Sequence, residues 1–478
     1  MKLRNPLIAL GILAGLSTYV YIVEMKGGEK KRREKEASER VLPVEAGDVA
    51  GFTLIRGGER VRLEKVKEKW RIQEPQPADP DVDAVDRLVG SLVDLRISHD
   101  LGKQADPGSY NLTDPPLRLE VQVGAGKPPG PLSLGDEAPT GGGTYARLGD
   151  SNRILVVSGA SALQGATFFS LRDKAFLKFD PSRLSACRIL RGKDEIDLRR
   201  EAGKWRIAAP VRAPADDPSV ADLLFALERL TVMEFVEERP SASSLQAWGL
   251  NPPRTRVILT GEEWKGEKDL AFGSAGSGSL YALHPAGGAL VKVSDSIEAK
   301  LKSGAAELRK KEILPFSRFE VSRLRITGAG AGPLELERKD DREWKRVSPT
   351  PGAVGKDSVD LLLRNLAELK ADAFVDEPVK DPGRYGLVPP SVRLDFWKKG
   401  QPAEAPAGVE IGRADAAGRV PMRVAPWQAL MLVPFDSWSQ ALEQARKVAV
   451  EQAAAEASPA QTAPAKAPAP AGASSPKN

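Results

Sequence analysis

Three stretches of the chain repeat one pattern of apolar and polar positions. A tryptophan opens a short alternating strand that runs into a proline: Trp70-Arg71-Ile72 with Pro75, Trp205-Arg206-Ile207 with Pro210, and Trp344-Lys345-Arg346-Val347 with Pro349. The tryptophans are spaced 135 and 139 residues apart. An apolar series follows: Val82, Val85, Val89 and Leu92, then Val220, Leu223, Leu227 and Leu230, then Val359, Leu362, Leu366 and Leu369. Steps of three, seven and ten fall on one face of an α-helix. Asp79-Pro80, Asp217-Pro218 and Asp357-Ser358 stand where each helix would begin. Aspartate as N-cap followed by proline suits that place, because the carboxylate accepts free amides and proline has no amide to lose.

After the helix an aromatic residue, a turn and a double proline recur at Tyr110-Asn111-Leu112, Trp248-Gly249-Leu250 and Tyr385-Gly386-Leu387. Asn and Gly share tolerance of a left-handed backbone, so a positive φ is expected at Asn111, Gly249 and Gly386. Short strands then lead to Gly135, Gly273 and Gly412, to the strands around Tyr145, Tyr281 and Met422, and to a closing apolar strand. Leu171-Arg172-Asp173-Lys174 before Phe179 and Leu308-Arg309-Lys310-Lys311 before Phe316 mark joints between copies; the third copy has none. The expected fold is α+β: three tandem repeats at 45–179, 180–316 and 317–440, each a small antiparallel sheet with one packed amphipathic helix.

The two ends differ from this body. Residues 6–23 form an uncharged, apolar run close to the minimum of about 17 residues for a membrane-crossing helix, with a tail of residues 1–5 before it and a charged stalk at 24–44. It predicts a transmembrane anchor in the inner membrane, crossed once. Lys2 and Arg4 favour a cytoplasmic tail and a periplasmic body, although the basic residues after the run oppose this on a literal count. Residues 441–478 read as a short helix and then an Ala/Pro-rich disordered tail. The net charge is +5, of which residues 1–40 hold nine Lys/Arg against five Glu, so the body has no basic excess to suit nucleic acid.

No catalytic or cofactor-binding motif stands out. His99 and His284 have no metal-ligand spacing, and Cys187 is the only cysteine, so no intrachain disulfide forms. The run Gly273-Ser274-Ala275-Gly276-Ser277-Gly278 lacks the Lys-Ser/Thr of a phosphate loop and reads as a hairpin. The repeated positions Trp70, Trp205, Trp344, Tyr110, Trp248, Tyr385, Gly135, Gly273 and Gly412 are structural types. Arg172 and Arg309 are candidates for binding an anionic partner, weighed against pairing with acids between repeats. Trp264 and Trp427 have no counterparts in the other copies and are candidate interaction residues, as is Trp438 for packing.

The Trp-x-Ile/Val strand, the Val/Leu helix, the turn Tyr385-Gly386-Leu387-Val388-Pro389-Pro390 and the Leu-Arg joint together resemble the bacterial family called domain of unknown function 4340, over about residues 45–436. The resemblance implies an envelope protein associated with ABC-type transport, and no catalytic residues. The resulting expectation is a non-enzymatic accessory or scaffold of an ABC-type transport or surface machinery, with a transporter permease or other envelope protein as partner and no cofactor. A glycan- or peptidoglycan-binding protein and a hydrolase with an unrecognised carboxylate site are the alternatives.

Overall fold

The computed structural model describes residues 39–450, apart from residues 105, 125–126, 140–141, 277, 315–316, 329–331, 341–342, 377–378, 401–405 and 426–428. The first repeat contains strands β1 (Val49–Arg56), β2 (Glu59–Val66), β3 (Lys69–Glu74), β4 (Arg96–Lys103), β5 (Leu117–Val123), β6 (Leu132–Glu137), β7 (Thr144–Leu148) and β8 (Arg153–Ser158). They form one sheet in the order β3-β2-β1-β5-β6-β7-β8-β4. A three-strand meander is laid down first. The chain then passes through a helix, α1 (Val82–Val93), to the far edge and returns as a second meander.

The second repeat contains β9 (Leu184–Arg191), β10 (Asp194–Glu201), β11 (Lys204–Ala209), β12 (Ala213–Pro214), β13 (Val232–Glu237), β14 (Thr255–Gly261), β15 (Glu267–Gly276), β16 (Ser279–Leu283) and β17 (Leu290–Ser294). Its order is β12-β11-β10-β9-β14-β15-β16-β17-β13. The third contains β18 (Val321–Thr327), β19 (Leu334–Arg338), β20 (Trp344–Ser348), β21 (Gly352–Val354), β22 (Ala373–Asp376), β23 (Val392–Lys398), β24 (Ala407–Ile411), β25 (Arg419–Val424) and β26 (Ala429–Pro434), ordered β21-β20-β19-β18-β23-β24-β25-β26-β22. The topology is the same three times, apart from the short edge strand (β12, β21) that only the second and third sheets have. The chain divides into two compact units, Met1–Lys178 with Arg229–Ser244 and Tyr281–Ser294, and Phe179–Glu228 with Leu245–Leu280 and Asp295–Asn478.

Three sheets fit the repeat, but the expected fold class is corrected in two respects. The sheets hold eight, nine and nine strands and are not small. Strands such as β2 and β10 carry charges on most positions and present few residues inward, so hydropathy alone does not reveal them. The helices also exceed one per repeat. The last strand of each sheet leads into a further helix, α2 (Ser161–Gly165, followed by α3, Phe168–Leu171), α6 (Ser296–Lys302) and α8 (Phe435–Val450), beside the long helices α1, α4 (Asp217–Glu228) and α7 (Lys356–Ala367). A shorter helix, α5 (Ala242–Ala247), precedes the turn of the second repeat. Segments of five to seven residues are too short to declare a helical period.

The expected anchor at 6–23, its tail and stalk up to residue 38, and the tail from 451 lie outside the described residues. Among the described residues no helix is long and apolar enough to cross a membrane. The longest, α8, buries Trp438, Ala441, Ala445 and Val448 in the third core and carries Asp436, Glu443 and Lys447 elsewhere. The single-pass inner-membrane placement with a periplasmic body is therefore withdrawn.

Burial also resets the helix register in the first repeat. Val82 is 52% exposed, whereas Val85, Leu88, Leu92 and Leu95 are buried. These four stand 135 residues before Val220, Leu223, Leu227 and Leu230, the same interval that separates Trp70 from Trp205. The expected series was thus displaced by three residues, about one turn, which leaves the helical face unchanged and is invisible to periodicity. The caps shift with it. Asp81 accepts from the amide of Ala84 and Asp216 from that of Ser219, each at 3.0 Å, whereas Asp79 pairs with Arg71 and Asp217 accepts from the amide of Trp205. In the third repeat Gly355 precedes the helix with no side-chain cap.

The strand begun by each tryptophan alternates as expected in two copies: Trp70 and Ile72, like Trp205 and Ile207, point inward and Arg71 and Arg206 outward. In the third copy Arg346 takes the inward place and Val347 is exposed. The Arg346 guanidinium donates to the carbonyls of Thr350 (2.7 Å) and of Val448 in the last turn of α8 (3.0 Å). A cation satisfies the free carbonyls and the negative end of that helix.

The aromatic turns share one geometry. Asn111, Gly249 and Gly386 have φ of 54°, 68° and 65°. The amides of Leu112, Leu250 and Leu387 reach back five residues to the carbonyls of Pro107, Leu245 and Pro382. The amides one residue earlier reach back three, the paired bonds of a Schellman closure. Replacing Gly386 with alanine is expected to destabilise this turn by about 1 kcal/mol, and Asn111→Gly to be neutral or mildly stabilising, because only a residue with a Cβ strains there. Chemical denaturation of the two variants checks the opposite signs.

Candidate functional site

The joints carry the polar residues that the sequence marks for interaction, and they begin with backbone. The amides of Val41, Phe176 and Ile313 donate to the carbonyls of Leu95, Leu230 and Leu369 at 3.1, 2.9 and 3.1 Å. β-bridges pair Arg40 with Arg96, Ala175 with Thr231 and Glu312 with Lys370. Each repeat therefore opens with a segment laid against the residues that leave its long helix. Arg40-Val41-Leu42-Pro43 and Glu312-Ile313-Leu314-Pro315 are the sequence signal for it, too short to show a period of its own.

On its other side the linking segment is held by the repeat that it leaves. The amides of Asp81 and Asp216 donate to the carbonyls of Leu171 and Leu308 (2.9 and 2.8 Å), and bridges join Pro80 to Arg172 and Ala215 to Arg309. Leu171 and Leu308 are buried. The Leu-Arg pair thus sits where one repeat hands the chain to the next.

Arg172 extends from this point over the ring of Phe235 on β13, its guanidinium carbon 3.4 Å from the ring centre and 5.4 Å from that of Phe168. It pairs with both carboxylate oxygens of Glu238. Arg309 is 4% exposed and lies 4.1 Å from the ring centre of Phe374 on β22, the strand equivalent to β13. A planar cation on an aromatic face is favoured where water is excluded. Arg172 thus makes the acid pairing set beside anion binding in the sequence, and Arg309 packs on an aromatic ring.

His284 belongs to the same cluster. Its ring is 6.0 Å from Phe176 and 5.8 Å from Phe235, and its nitrogens lie 3.3 Å from the Ala175 carbonyl and 3.0 Å from that of Ala286. His99 is exposed on β4. Among the described residues no group of three or more His, Cys, Asp and Glu is placed to hold a metal ion. Trp264, in the β14–β15 loop, packs 6.0 Å from Phe179, while its neighbour Glu263 accepts from the Asp180 amide at 3.2 Å. Trp427 lies outside the described residues, and Trp438 is in the third core. Burial, with Asp197 beside it, pushes the Cys187 thiol up to about 12, so it remains protonated and unreactive. The glycine run from Gly273 ends β15 and leads into β16, the hairpin expected of it.

These observations define a tandem-repeat protein of large antiparallel sheets, each flanked by paired helices and joined by arginine-bearing links. The family model of the domain of unknown function 4340 matches residues 70–206 and 205–390, two tandem copies, and the chain belongs to this family. The first match runs from Trp70 to just past Trp205 and the second from Trp205 to Pro390, so each spans parts of two sheets. The chain matches no curated protein.

Proposed function

We propose that the chain is a non-enzymatic scaffold, working as an accessory component of an ABC-type transport or surface machinery. The observation that carries this reading is the use made of Arg172 and Arg309. The polar residues best placed for chemistry at the joints lie on Phe235 and Phe374 and hold successive repeats in register. A chain that uses the arginines of its joints to hold repeats together presents extended sheet and turn surface to partners. The link to transport machinery rests on the resemblance alone.

The test is mild crosslinking in the source cells followed by purification of the tagged full-length chain and mass spectrometry. The expected result is recovery of a permease, ATPase or surface component in constant ratio to the chain. Recovery of the chain alone, or only of abundant unrelated proteins, sinks the proposal.

A further inference from the structure

The three copies of the aromatic turn share a backbone and differ in what surrounds it. In the first, Tyr145 packs edge-on against Tyr110 with ring centres 4.7 Å apart, and Asn111 donates to Asp136 at 3.1 Å. In the second, Ser274 occupies the place of Asp136 and donates to the Trp248 carbonyl at 3.0 Å. In the third, strand register sets Pro421 where Tyr145 stands, since Met422 faces Ile411 as Ala146 faces Leu134. Arginine fills the two flanking places, Arg384 for Ser109 and Ala247, and Arg413 for Asp136 and Ser274.

Losing the ring opens a cleft of about 850 Å³, bounded by the turn from Tyr385 to Pro390 on one side and by Arg413 and Pro421 on the other. Arg384 and Arg413 are exposed, and neither guanidinium has a hydrogen-bond or ion-pair partner among the described residues. Arg419, also on the cleft, is tied to Asp415 at 3.0 Å. Apolar side chains stand beside these charges, with Val388 63% and Val375 48% exposed.

We propose that this cleft docks a short acidic segment of a partner protein, its carboxylates on Arg384 and Arg413 and an aliphatic side chain against Val375 and Val388. Two guanidiniums lining one cleft, unpaired among the described residues, are complementary to carboxylates, which accept their forked donors. An acidic glycan fits less well. The exposed Val375 and Val388 offer sugar hydroxyls no partner, and the Ser391 hydroxyl is already engaged with the Ile411 and Gly412 carbonyls at 2.8 and 2.7 Å. The first two repeats serve as internal controls, since their equivalent places carry no arginine. This site deepens the scaffold reading and rests on it in taking the occupant to be a protein.

The test selects phage-displayed random peptides on the purified full-length chain, with the Arg384→Glu, Arg413→Glu double variant as counter-selection. Both side chains are on the surface, and circular dichroism melting of the variant checks that it folds. The expected outcome is enrichment of peptides combining Asp or Glu with aliphatic residues. A synthetic peptide from that set should bind the double variant at least about tenfold more weakly in fluorescence polarisation. The inference is overturned if no peptide is enriched, if the enriched peptides are not acidic, or if the double variant binds them equally. It is likewise overturned if oligogalacturonate binds through these arginines and the acidic peptides do not. Selection of acidic peptides by a chain that recovers no transport or surface component removes the machinery and leaves the cleft. Recovery of a stable partner without any acidic selection removes the cleft alone.

Discussion

Gly412→Ala is expected to destabilise the third repeat by about 2–3 kcal/mol, more than is usual for adding one methyl group. Gly412 follows β24, where a Cβ would fall inside van der Waals contact of the Tyr385 carbonyl oxygen and 2.9 Å from Pro421 Cγ. The obstacle on one side is backbone, which cannot swing away as a side-chain end can. The same approach recurs at Gly135 against the Tyr110 carbonyl and at Gly273 against the Trp248 carbonyl. Repeated glycine and repeated aromatic are therefore one feature: the turn carbonyl is seated on the glycine. In the second repeat the Ser274 amide completes the contact by donating to the Trp248 carbonyl at 2.8 Å. Gly90→Ala is the control, because Gly90 lies in α1 with nothing within 4 Å of a Cβ, and the substitution should stabilise by up to about 1 kcal/mol. Urea unfolding with hydrogen exchange at β23–β25 amides reads the loss. Unchanged protection there in Gly412→Ala would refute the account.

What the sequence reveals of this fold depends on which interactions impose a pattern. The tryptophan strand, the long helix, the left-handed turn and the glycine strand are legible because each obeys a local rule: alternation, helical period, positive φ or absence of a Cβ. The first two strands of each sheet are not. β2 presents Val61 and Leu63 inward among charged residues, and its pairing to β1 is decided by register over the whole sheet. The short second helices are fixed by packing beside the long ones and carry little period of their own. The register of α1 fails for the opposite reason, since Val82 satisfies the period and only the position of the sheet shows that it faces water. Among the candidate interaction residues, Arg172 and Arg309 were identifiable by their recurrence, yet their task depends on Phe235 and Phe374, which lie 63 and 65 residues further on. The third-repeat cleft was the least visible. It arises from the loss of a ring at Pro421, and an apolar pattern records a proline in that place without showing the space it leaves.

Glu238→Ala is expected to cost about 2–3 kcal/mol, and Arg172→Met less, with the double variant recovering part of the loss. Breaking a buried ion pair from one side typically costs about 3–5 kcal/mol because a charge is left without compensation. The figure here is reduced for the carboxylate, whose side chain is 34% exposed and partly hydrated. The two partners are not equivalent. The Arg172 side chain is 11% exposed and lies between Phe235 and Phe168, so removing Glu238 leaves the guanidinium with little access to water. Methionine at 172 retains an unbranched stem to cover the Phe235 ring and removes the cation, and Glu238 can then turn to solvent. A double-mutant cycle by urea denaturation separates the pair from its surroundings. The expected ordering is Glu238→Ala most destabilised, the double variant intermediate, and Arg172→Met nearest the parent. If Arg172→Met is the worst of the three, the cation–aromatic contact outweighs the carboxylate, and the ion pair is not what holds this joint. Additive losses would instead show that Arg172 and Glu238 act independently, which the shared geometry with Phe235 argues against.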